Sequence, residues 1–125
     1  MPVLNMERYY FKKKHKIRKR RDFQSIYQEG RRIHSKSFVI LLRRNDEGEK
    51  RLGITVSKKV GNAVKRNRIK RLLREYFRLN RDRFPDSMDV VFIARKDISL
   101  LKYPEVCREL DDVLKGGDFL YHADS

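Results

Sequence analysis

Residues 51–83 read RLGITVSKKVGNAVKRNRIKRLLREYFRLNRDR, a strand, a glycine-bearing turn and one long helix in succession. From Ile69 onward the apolar residues Ile69, Leu72, Leu73, Tyr76 and Phe77 recur at i, i+3, i+4, i+7, the stripe of a helix that buries one face. Gly61 permits a tight turn before it, and Asn62 can cap its N-terminus. The helix is expected to end near Asn80, with Pro85 closing the linker that follows. Upstream, Leu52, Ile54 and Val56 alternate with Gly53, Thr55 and Ser57. That strand turns one face to the core and shows a small polar one, able to floor a groove or simply to meet solvent.

The long helix also concentrates charge. Eleven Lys or Arg lie between Lys58 and Arg83. At about 100° per residue, Asn67, Arg71, Arg74 and Arg78 fall opposite Ile69, with Arg68 and Lys70 on the flanks. Like charges along one helix face repel, so this ribbon calls for a polyanion or for thorough solvation. Ordinary solvated faces mix signs, whereas Glu75 is the only acid between residues 63 and 79. The polyanion is therefore favoured.

A chain of 125 residues is expected to form one domain, long enough to bury a core without covalent staples. A net charge of +15 points to nucleic acid or an anionic membrane surface. No apolar run approaches the ~18–20 residues of a membrane span, and the opening MPVLNMERYYFKKKHK lacks the apolar centre of a signal peptide. A cytoplasmic protein without a membrane partner is expected. The lone Cys107 excludes an internal disulfide and a multi-cysteine zinc site, and reads as a packed thiol.

Residues 1–18 read as a basic, flexible arm that could order on RNA. A first helix is expected over 20–29, with Phe23, Ile26 and Tyr27 on one face and Gly30 ending it in a left-handed cap. Phe23 and Tyr27 are either core anchors or, among Arg18, Lys19, Arg20, Arg21, Arg31 and Arg32, a stacking platform for unpaired bases. The residues alone leave that open. A short strand over 31–34 precedes a β-rich run at 37–42, and Asn45-Asp-Glu-Gly48 reads as a turn making a hairpin with the strand at 52–57. Residues 88–94 are nearly all apolar, hence a central strand or one covered by the long helix. The last helix starts near Pro104 and buries Tyr103, Val106, Cys107, Leu110, Val113 and Leu114. Its outer face carries Glu105, Glu109, Asp111 and Asp112, and Gly116-Gly117 opens a tail over 116–125.

The fold expected is α+β, a single-domain two-layer sandwich over residues 19–115 in the order α-β-β-β-α-β-α. Its small mixed sheet is packed by the long basic helix. Hydrolysis would need paired carboxylates on a metal or a nucleophile with an aligned base. His15, His34 and His122 are scattered, and the acids fall in a turn (Asp46, Glu47, Glu49), a linker (Asp82, Asp86, Asp89) and the last helix, where solvated charge is the ordinary explanation. The linker acids define no octahedral shell. No catalytic residue and no metal ligand is expected, which describes an RNA-binding protein without an active site of its own.

The run Ser57-Lys58-Lys59-Val60-Gly61-Asn62-Ala63-Val64, followed by Arg66-Asn67-Arg68-Ile69-Lys70-Arg71-Leu72, resembles the protein subunit of bacterial ribonuclease P. Arg21-Asp22-Phe23, Gly30 and residues 91–96 extend the likeness to about residues 18–115. The resemblance implies that a large catalytic RNA, using Mg²⁺ held mainly by that RNA, removes the 5′ leader of precursor tRNA, with one protein per catalytic RNA. It sets Lys58, Lys59, Arg66, Asn67, Arg68, Lys70, Arg71 and Arg74 against the catalytic RNA. It runs the leader between the first helix and the sheet, past Phe23, Tyr27, Val39, Leu41 and Thr55, and implies a left-handed crossover around the long helix. Two departures are an unusually long arm, and Leu41 where some relatives carry an aromatic. The rival readings are a basic ribosomal or other structural RNA-binding protein and a protein-only nuclease.

Overall fold

The computed structural model describes residues 15–98 and 100–114; most of the expected arm and all of the tail lie outside them. Its elements are α1 (Arg20–Glu29), β1 (Arg31–His34), β2 (Phe38–Arg44), β3 (Arg51–Val56), α2 (Ala63–Leu79), β4 (Met88–Ala94) and α3 (Tyr103–Leu114). The element order is the expected one. Single 3₁₀ turns at Lys58–Val60 and Arg81–Arg83 flank α2. Gly61 is extended, so the first of these turns makes the reversal.

The strands form one mixed sheet in the order β1-β2-β4-β3, antiparallel except for the β3/β4 pair. A parallel pair needs a crossover, which α2 supplies. The expected hairpin between β2 and β3 does not form, because β4 lies between them. Both faces of β4 are apolar, so it takes a central place, and the turn after β2 passes across its start. The Asn45 N–H donates to the Ser87 carbonyl at 2.7 Å, and the Asn45 side chain to Asp89 Oδ1 at 2.7 Å. The hairpin is instead β1 with β2, closed by Phe38 N–H donating to Ser35 Oγ at 3.0 Å.

Consecutive apolar residues in β2 and β4 leave two faces to cover. On one, Phe38, Ile40, Leu42, Val90 and Phe92 meet the α2 stripe and Val106, Leu110 and Leu114 of α3. All five stripe residues of α2 are buried, each worth roughly 1.5–3 kcal/mol of transfer free energy. On the other, Val39, Leu41 and Val91 meet Ile17 and Ile26, with Phe23, Tyr27 and Ile93 half-buried. Among the described residues α1, with Ile17 just before it, covers this face, and ten residues of helix span about 15 Å. It adds a third layer that stops short of the sheet's end.

Three other expectations change. Gly30 leaves α1 extended at φ −70°, not left-handed; a Cβ there would come 2.5 Å from the Ile26 carbonyl oxygen, so the constraint is space. Asp89, read as a solvated linker acid, is fully buried in β4. It accepts from Arg51 Nε and Nη2 at 2.7 and 2.9 Å, and this bond holds the Arg51 guanidinium charged, raising its pKa despite burial. Glu109 and Asp111 of the supposedly solvated face bond within the protein while staying partly exposed. Glu109 Oε2 accepts from Ser35 Oγ at 2.5 Å and Ser37 N–H at 2.6 Å, while Asp111 accepts from Tyr76 OH at 2.7 Å.

Candidate nucleic-acid interface

Asn62 begins α2 as expected, its Oδ1 accepting from Lys65 N–H at 3.0 Å. Beyond this cap the stripe points inward and the cations outward. Lys58, Lys59, Asn67, Arg68, Arg71 and Arg74 are exposed, and Arg66 and Lys70 half-buried. Some of these charges are used within the protein. Arg66 Nε donates to the Gly61 carbonyl at 3.2 Å, Arg68 Nη2 to the Leu101 carbonyl at 3.0 Å, and Lys65 pairs with Asp97 at 3.0 Å. Among the described residues, no hydrogen bond or ion pair engages the side chains of Lys58, Lys59, Lys70, Arg71 or Arg74. Those five are free to neutralise phosphates, which would also relieve their mutual repulsion.

The second region lies on the α1 face. Strand register lines up Arg32, Leu41, Val91 and Gly53 in one row and His34, Val39, Ile93 and Thr55 in the next. The helix α1 sits over the first row, leaving Leu41 and Val91 fully buried. A Cβ on Gly53 would come 2.6 Å from Phe23 Cε1, so glycine is what lets that ring lie on the strand. The next row is half open, with Ile93 and Thr55 partly exposed. Tyr27 OH and Thr55 Oγ1 lie 3.1 Å apart across it, and Arg32 Nη2 donates to the Tyr27 carbonyl at 3.1 Å.

Of the expected leader residues, Phe23, Tyr27 and Thr55 keep part of their surface exposed on this face. Each ring is half-buried against the second cluster, so both pack into the core and keep part of their surface open. Val39 is nearly covered and Leu41 has no surface to offer. Ile93 was missed. Within an unbroken apolar run it looks like Phe92, and only the register shows it beside Thr55.

The two regions meet at the outer edge of β3. A notch of about 220 Å³ there is lined by Phe23, Gly53, Ile54, Lys16, Lys70 and Arg74. An aromatic surface and three cations can take a base and its phosphate together. Among the described residues no group of three His, Cys, Asp or Glu could hold a metal ion, and no helix is long and apolar enough to cross a membrane.

The family model described as Ribonuclease P matches residues 11–116. The chain belongs to the Ribonuclease P family. The ribonuclease P protein component of Syntrophus aciditrophicus (strain SB) is 55% identical over 109 residues, spanning 87% of this chain and 92% of its own. Solved ribonuclease P proteins share the fold. That of Staphylococcus aureus superposes with a TM-score of 0.74 at 38% identity over 83% of this chain and 95% of its own. That of Thermotoga maritima gives 0.71 at 39% identity over 80% and 94%. The ribonuclease P match thus takes in both the α2 ribbon and the α1 cleft.

Proposed function

We propose that the chain is the protein subunit of a ribonuclease P ribonucleoprotein, binding a large catalytic RNA and the 5′ leader of precursor tRNA so that the leader is cleaved off. The observation that carries this reading is the meeting of the Lys70 and Arg74 cations with the half-buried Phe23 at the β3 edge, within a ribonuclease P chain. Lys58, Lys59, Arg66, Asn67, Arg68, Lys70, Arg71 and Arg74 would face the catalytic RNA. Phosphate contacts there are indifferent to sequence and set position. Phe23, Tyr27, Thr55, Ile93 and the rim of Val39 would take the leader, where stacking tolerates any base. Leu41 drops out as a direct contact and supports the floor.

The Mg²⁺ of the reaction would be held mainly by the RNA, as the resemblance to the ribonuclease P protein subunit implies. Hydrolysis is assigned to the RNA as well, in a cytoplasmic particle with one protein per catalytic RNA. Reconstitution tests the assignment. Protein freed of RNA should release no leader, and its addition to a candidate catalytic RNA should accelerate release from precursor tRNA at low Mg²⁺. Steady leader release by RNA-free protein, or a catalytic RNA indifferent to the protein, would refute it.

A further inference from the structure

The cleft has walls that the sequence motifs do not explain. Helix α1 is short for independent stability, buries only Ile26 fully, and its N-cap Lys19 makes no side-chain cap. Yet Phe23 and Tyr27 both stand on it. What holds it in place is seen at the next row of the sheet, where register sets Arg43 of β2 and Arg51 of β3 on either flank of the buried Asp89 of β4. The three point to the α1 face, two residues along from Leu41, Val91 and Gly53. Arg51 Nη1 reaches Asp22 Oδ2 in the first turn of α1 at 3.5 Å, and Arg43 Nη1 reaches Glu29 Oε2 in its last turn at 3.5 Å. The two arms are unequal. Arg51 grips Asp89 through two nitrogens at 2.7 and 2.9 Å, whereas Arg43 approaches it at 3.5 Å and its buried Nε has no partner.

We propose that Asp89, Arg51 and Arg43 are positioning residues for the leader cleft: one buried carboxylate orients two arginines that hold α1 at both ends, and this sets Phe23 and Tyr27 over the sheet. The proposal rests on the leader reading above. Asp22 and Glu29 are the links to break, since both are at least partly exposed and the buried Asp89 stays paired.

The pair also separates grip from helix stability. Asp22→Asn removes an acid from the favourable end of the helix dipole and Glu29→Gln removes one from the unfavourable end, so their effects on helix stability oppose each other. Their effects on the grip agree. In the reconstituted holoenzyme, Asp22→Asn should weaken precursor tRNA binding about three- to fivefold and Glu29→Gln about twofold, without change for mature tRNA. Amide exchange should quicken in α1 and not in α2, and Asp22→Asn should add little on a Phe23→Ala background. If Phe23→Ala lowers the precursor-to-mature ratio and Asp22→Asn does not, the cleft stands and the grip is refuted. If Glu29→Gln tightens precursor binding while Asp22→Asn loosens it, helix stability is the cause and the proposal fails. Equal loss of both ligands with a lowered melting temperature would make the residues merely structural. Should Phe23→Ala itself leave the ratio unchanged, the leader reading is wrong and the proposal falls with it.

Discussion

Phe92 and Ile93 are neighbours in β4, and they face different worlds. Phe92 is fully buried between α2 and α3, with Tyr76 edge-on at a centroid distance of 6.2 Å. Ile93 faces a layer that one short helix covers incompletely, and stays partly exposed. The first face is closed, so its helices can meet a ligand only on their outer surfaces, where α2 sets its cations. The second is unfinished, and a ligand can reach the sheet itself. On the proposed reading, stability rests on the closed face, while recognition falls to the outer surface of α2 and to the open face, which adjoin at the β3 edge.

Phe92→Ala should produce the largest effect, a stability loss of about 3–5 kcal/mol in denaturant titration, against about 1 kcal/mol for Ile93→Ala. Equal losses would mean that the α1 face is as closed as the other. The difference between the ribbon and the cleft sharpens with salt. If seven or more phosphates are neutralised, RNA affinity should fall with a log-log slope of magnitude roughly 5, at ~0.7 per contact on single strands. Ile93→Ala should leave that slope alone and Arg71→Ala should reduce it by about 1. A parent slope near 1 or 2 would break the ribbon account.

A smaller effect concerns the closed face alone. Burial, with the Asp111 hydrogen bond, pushes the Tyr76 phenol well above its ordinary pKa of 10.0. A raised pKa means stability that is fully present below pH 10 and lost as pH rises beyond it. Tyr76→Phe should therefore be about 1 kcal/mol less stable at neutral pH, and the gap should narrow above pH ~10 in melts of the two proteins. A gap constant with pH would show that the phenol is not held neutral by the fold.

Much of the closed face was legible because periodicity reports burial directly. The stripe Ile69, Leu72, Leu73, Tyr76 and Phe77 is buried as spaced, and Asn62 caps where a cap was due. What escaped depended on partners distant in sequence. The turn after β2 looked like a hairpin because its local chemistry is a turn's, and nothing local says that β4, over forty residues on, takes the place beside β2. Asp89 read as solvated because acids usually are, and Arg51 and Asn45 lie far from it in the chain. The same blindness hid Ile93 and left Leu41 looking available. Charge was legible as a total but not in its use, since Arg66 and Arg68 spend hydrogen bonds on backbone carbonyls of their own protein.

The most direct test of the division is a pair of binding constants, precursor tRNA against mature tRNA, for folded Phe23→Ala and Arg71→Ala in the reconstituted holoenzyme. Stacking on unpaired bases predicts that Phe23→Ala loses about 1–3 kcal/mol for the precursor and almost nothing for the mature tRNA, which has no leader. Phosphate contact with the catalytic RNA predicts that Arg71→Ala weakens assembly alike whichever tRNA is present. Circular dichroism and melting must show both variants native, because truncating a packed aromatic can cost ~3–5 kcal/mol of stability. If native Phe23→Ala binds precursor as tightly as the parent, or loses both tRNAs equally, the leader does not lie under α1 and the account is contradicted.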